Sequence, residues 1–211
     1  MILSLLSVFL FAPVQERPDP ECSRPADCRT LLEYPLKVNG KTIVVDGGAA
    51  VPWVQDGALV IFVGESAVVD VDGEKPVVES VGRASDVLND EQVRTFLGLM
   101  AGVNDELPRS YSGDSLRLNG PDDRLRISLR QGAGVEEMIL TVENGYEGAL
   151  SYRAVMMAVG PNGQTQWART SVCTVPPGIH VFEHWPHPII AIALEGFVIA
   201  PKDQPVETVC L

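Results

Sequence analysis

The sequence predicts a mainly β protein: a β-meander with one amphipathic helix in the N-terminal half, and an antiparallel, immunoglobulin-like β-sandwich in the C-terminal half. Three features predict it: Asn-Gly and Asp-Gly dipeptides recurring between apolar runs, short Val- and Ile-rich runs of strand length, and a two-residue alternation in the second half. The dipeptides supply the positive φ angles that tight hairpins need. Alternation puts one face of a strand in a core and the other in water.

Residues 1–16 read as a signal peptide or N-terminal anchor. Ile2, Leu3, Leu5, Leu6, Val8, Phe9, Leu10 and Phe11 are separated only by serines, and the chain turns polar at Gln15. This stretch is shorter than the roughly 20 apolar residues that cross a bilayer. Cys22 follows Pro20-Glu21 instead of small and aliphatic residues, so a lipoprotein is not expected. Residues 17–34 form a Cys/Pro-rich segment. The four cysteines, Cys22, Cys28, Cys173 and Cys210, fit an oxidising compartment and allow three pairings. The nearness of Cys22 to Cys28 makes that bond the simplest, leaving Cys173 to join Cys210.

The meander is expected over 35–104, with strands at Thr42 to Val45, Ala58 to Val63, Ala67 to Val71 and Lys75 to Val81. Asn39-Gly40, Asp46-Gly47, Asp56-Gly57 and Asp72-Gly73 punctuate them. Asn89 can then cap a helix near 90–102, with Gln92 reaching back and Val93, Phe96, Leu97, Met100 and Val103 at helical spacing. Its apolar stripe is expected on a sheet. Gly, Pro, Ser and acidic residues cluster from Asn104 to Asp114, where the boundary to the 105–211 sandwich is drawn. Strands there are expected at Ser115 to Asn119, Arg124 to Arg130, Glu137 to Glu143, Ala149 to Val159, Gln166 to Val175, Ile179 to Trp185 and Pro188 to Ala200, with turns at Asn119-Gly120, Asn144-Gly145 and Asn162-Gly163.

Charge narrows the partners. The 16 Lys and Arg face 28 Asp and Glu, a formal net charge of −12, which repels nucleic acid and anionic membrane surfaces. A cell-envelope protein or polymer is the expected kind of partner, with no span beyond the N-terminal segment.

Few residues invite chemistry. His180, His184 and His187, with Glu183 and Cys173 near in sequence, suggest a metal site. On a strand, however, His180 and His184 stand about 13 Å apart, too far for one ion. Asp70, Asp72, Gly73 and Glu79 partly match a calcium loop but lack its first carboxylate, and Pro76 interrupts it. Gly64-Glu65-Ser66 resembles a nucleophile elbow without its second glycine. Arg117, Arg124, Arg126 and Arg130 can form a basic stripe for a carboxylate or phosphate, or pair with neighbouring acids. Trp53, Trp167 and Trp185 read as core or rim residues. No dinucleotide or phosphate-loop fingerprint is present, and no cofactor is expected. The resulting expectation is a periplasmic or secreted, non-enzymatic module with a binding or structural role. The alternatives are a metal-binding protein centred on the histidines and an exported hydrolase using Ser66.

Overall fold

A computed structural model describes residues 33–46, 52–87, 91–93, 122–132, 136–160, 162–206 and 210. It begins with a hairpin, β1 (Glu33–Val38) and β2 (Lys41–Asp46), joined through Asn39 and Gly40 at φ 50° and 72°. The Asn-Gly pair thus makes the turn that its composition predicts. Tyr34, Leu36 and Val38 alternate into the core while Glu33 and Pro35 stay exposed. No strand was expected ahead of Thr42; β1 accommodates Pro35 because it lies outside the two main sheets.

Among the described residues, two five-stranded sheets carry the rest. The first runs β10-β9-β12-β4-β3 and the second β11-β8-β7-β5-β6, every pairing antiparallel. The strands are β3 (Val54–Gln55), β4 (Ala58–Phe62), β5 (Glu65–Asp72), β6 (Lys75–Arg83), β7 (Leu125–Gln131), β8 (Met138–Asn144), β9 (Leu150–Val159), β10 (Thr165–Thr170), β11 (His180–Trp185) and β12 (Ile189–Ile199). Leu59 and Ile61 of β4, Ile192 and Leu194 of β12, Leu125, Ile127 and Leu129 of β7, and Leu140 of β8 are all fully buried in one contiguous core. Each such side chain contributes about 1.5–3 kcal/mol through removal of apolar surface from water.

The meander expected over 35–104 does not form as drawn. β4 pairs with β12, whereas β5 pairs with β6 and β7, so the chain changes sheet between Phe62 and Glu65. Gly64 makes this passage at φ 88°, and a Cβ there would lie 2.7 Å from the ring of Tyr34. The reason for the departure is burial: β4 is covered on both faces, with Leu59, Val60, Ile61 and Phe62 each at 9% exposure or less. Strands on either side of residue 104 consequently share both sheets.

Asn144-Gly145, read as a hairpin turn, has another role. Asn144 is fully buried, and its Nδ2 donates to the carbonyls of Gly148 (2.9 Å), Val175 (3.0 Å) and Pro176 (3.3 Å), while its Oδ1 accepts the Tyr146 N–H (3.0 Å). The side chain therefore ties the end of β8 to the crossover toward β9 and to the segment before β11. Gly145 is required by crowding, since a Cβ would meet the Arg124 carbonyl at 2.6 Å.

Helical structure among the described residues amounts to α1 (Ala84–Val87) and the turn at 91–93. The rest of the helix expected over 90–102 lies outside the described residues. Val93, from its apolar stripe, is fully buried in a small cluster with Ile139 and packs against Phe182, on the face of the second sheet turned away from the main core. The C-terminal strand expected at Gln166 to Val175 ends at Thr170; Cys173 and Val175 make only isolated bridges, to Cys210 and Leu150.

Side-chain hydrogen bonds tie these layers together. Trp185 of β11 donates through Nε1 to Thr170 Oγ1 of β10 (2.7 Å), linking the second sheet to the first. The Gln131 amide accepts the Lys37 N–H (2.6 Å) and donates to the Lys37 carbonyl (2.9 Å), so it acts as a strand partner for β1 and holds the hairpin on the body.

Candidate functional site

The three histidines are not brought together. His180 and His184 lie on the outer face of β11, opposite Glu143 and Ile139 of β8. Four strand residues keep them about 13 Å apart, and His187 sits in the connection to β12. His180 Nδ1 faces Glu143 Oε2 at 3.7 Å, and its ring stacks on Phe182. His184 Nε2 is buried without a hydrogen-bond partner. Among the described residues no three His, Cys, Asp or Glu side chains gather closely enough to hold a metal ion. The physical reason is the extended backbone, which spreads neighbours in sequence instead of converging them.

The arginines expected to form an anion-binding stripe are engaged by acids. Arg124 pairs with Glu79 of β6 and reaches Asp70 of β5 (3.7 Å); Arg126 pairs with Asp122 and with Glu143 (3.0 Å). Hydrogen bonding to Glu79 and to Asp122 respectively raises the two guanidinium pKa values. Alternation along β7 explains the geometry: Leu125, Ile127 and Leu129 face the core, so Arg124 and Arg126 project outward beside the acids of flanking strands. Arg130 is itself buried, at 8% exposure. Arg117 lies outside the described residues.

Tyr146 joins the same network. Its hydroxyl donates to Asp70 Oδ1 (2.8 Å) and accepts the Val71 N–H (2.8 Å). Burial first, and then the hydrogen bond to Asp70, push its pKa up to about 12. Asp70 and Glu79, which suggested part of a calcium loop, belong to the β5–β6 hairpin and are held by Tyr146 and Arg124. Tyr152, deeper and stacked on Phe197, also has its pKa raised by burial, and its hydroxyl has no partner.

Ser66 is buried in β5, opposite Ser128 of β7 and Gly82 of β6. The strand bearing His180 and His184 is three places away in the sheet order β5-β7-β8-β11, about 14 Å at the usual strand spacing. No hydrogen bond spans that gap, so the serine and the histidines of the hydrolase alternative do not form a nucleophile–base pair.

Cys173 and Cys210 form a disulfide across 37 residues, and the Cys173 N–H donates to Glu183 Oε1 (3.0 Å). Cys22 and Cys28 lie outside the described residues.

What the sequence did not disclose is a cleft of about 440 Å³ at one end of the sheets. Met156 and Ala158 of β9 and Gln166 and Ala168 of β10 line one side; Pro186, His187 and Pro188 of the β11–β12 connection line another. Val38 and Asn39 at the hairpin tip and Glu136 before β8 complete it. Glu136 Oε1 accepts the Gly40 N–H (2.6 Å), which fixes the carboxylate against the hairpin. The side chains of Asn39, Gln166 and His187 make no hydrogen bond to any described residue. The volume lies in the range of small-molecule sites; the cleft stands half open to solvent and its lining mixes apolar and polar side chains. Only the period-two placement of Met156, Ala158, Gln166 and Ala168 on facing positions of β9 and β10 was there to be read in advance.

The fold and these sites define a mainly β protein of antiparallel sheets with a disulfide and a small cleft. No protein family, no curated protein and no solved structure matches the chain.

Proposed function

We propose that this chain is an exported, non-enzymatic β-sandwich module of immunoglobulin-like kind, acting in the periplasm or outside the cell as a binding protein of the envelope. The cleft at Met156, Glu136 and His187 carries the binding reading: it is a small-molecule-sized space with a mixed apolar and polar lining. The Cys173–Cys210 disulfide supports export, because such bonds persist in oxidising compartments. The signal-like segment at residues 1–16 points the same way. The sandwich reading draws on the main core, to which both five-stranded sheets contribute.

Cell fractionation with thiol labelling tests the compartment. The protein is expected in the periplasmic or extracellular fraction with Cys173 and Cys210 blocked to alkylation. A fully alkylated cytoplasmic pool overturns export. Labelling of folded protein at Ser66 by a fluorophosphonate probe overturns the non-enzymatic assignment, since an unactivated, buried serine does not react.

A further inference from the structure

We infer that the cleft selects a small amphiphilic amine, with its apolar stem laid along Met156, Ala158 and Ala168 and its ammonium group at Glu136. This rests on reading the chain as a binding module and adds the chemical class of the ligand. Three observations lead to it. The cleft is of small-molecule size, about 440 Å³, which suits a ligand and not a protein segment. Its walls combine two alanines, two valines and two prolines with Met156, whose unbranched and polarizable side chain adapts to apolar guests of varied shape.

Charge decides the head group. Among the described residues, Glu136 is the one carboxylate lining the cleft, and no Lys or Arg lines it. The Gly40 N–H holds its Oε1, so the carboxylate is positioned before a ligand arrives. The excess of 28 acidic over 16 basic residues adds a field of the same sign, which attracts cations and repels carboxylates. Asn39, Gln166 and His187 lie within the same lining and can hydrogen-bond a polar group carried next to the amine.

The test is a titration of the intact, isotope-labelled protein followed by amide chemical shifts, with hexylamine, 1-hexanol and hexanoate as matched probes. Hexylamine is expected to shift the signals of Ala158, Gly160 and Ala168 saturably. Hexanoate is expected to bind about 10-fold more weakly, the size of an attraction exchanged for a repulsion at a partly exposed carboxylate. Hexanol should fall between them. Glu136→Gln keeps an oxygen to accept the Gly40 N–H, so the fold is retained while the three affinities converge. Hexanoate binding as tightly as hexylamine, or an amine preference that survives Glu136→Gln, overturns the amine assignment and leaves the small-molecule cleft standing. Absence of saturable shifts with all three probes overturns both the assignment and the binding reading beneath it.

Discussion

Replacing Asn144 by alanine probes how the two sheets are joined. The asparagine side chain is fully buried and makes four hydrogen bonds, to the carbonyls of Gly148, Val175 and Pro176 and from the Tyr146 N–H. Val175 keeps a second partner in the Leu150 N–H, so its carbonyl is not orphaned by the change. The Gly148 and Pro176 carbonyls and the Tyr146 N–H each lose this bond. At about 1 kcal/mol for each lost bond, and more wherever water cannot enter, the cost is about 3 kcal/mol. That is a large share of the roughly 5–15 kcal/mol that separates folded from unfolded domains. Urea unfolding of the disulfide-intact protein, followed by tryptophan fluorescence, measures it. With a slope of about 2–3 kcal/mol per molar urea, the midpoint should fall by about 1 M at unchanged slope. A loss below about 1 kcal/mol would mean that these groups are satisfied without Asn144.

Three other outcomes are expected. Stability should decline between about pH 10 and about 12, because the Tyr146 hydroxyl is held protonated in the folded state above its ordinary value of 10. The contribution is present in full below pH 10 and lost as pH rises through the folded value; Tyr146→Phe should flatten that part of a pH series of urea midpoints, and an unchanged slope would contradict the Asp70–Tyr146 assignment. Reducing Cys173–Cys210 should lower stability by about 4 kcal/mol in the chain-entropy account of a closed loop, the loop here being 37 residues; paired melts with and without reductant measure the loss, and coincident melts would contradict it. Gln131→Leu removes both bonds to the Lys37 backbone. Amide hydrogen exchange at Lys37 should then accelerate while Ile127 and Leu140 stay protected, and protection retained at Lys37 would show that the hairpin is held without the Gln131 bonds.

Much of the fold was legible because strand and turn signals are local. The alternation in Arg124 to Arg130 and the apolar run Ala58 to Val63 gave strands close to the observed Leu125–Gln131 and Ala58–Phe62. Asn39-Gly40 and Asp56-Gly57 adopt the positive φ values that their composition implies. β1 was missed, and it carries Pro35, which a central strand excludes but a peripheral one tolerates. Asn144-Gly145 misled for a related reason. Its dipeptide suits a turn, yet the buried carbonyls around it make Asn144 a bonding hub.

The candidate sites divide along the same line. A stripe on Arg124 and Arg126 was visible as a pattern, but whether it binds a ligand or neutralises acids depends on Glu79, Asp70, Asp122 and Glu143, which alternate onto one face from other segments. The cleft has no motif at all. Its lining comes from positions as far apart as Val38 and Pro188.

The kind of secondary structure, the acidic character and the available cysteines were readable from the residues, because backbone preference and charge belong to each residue and its near neighbours. The tertiary structure decided which strands pair, which arginines are neutralised and where a cavity remains. Those outcomes follow from burial of both faces of β4 and from contacts between distant segments, and the free energy of a contact between distant residues is not written in the spacing of either one.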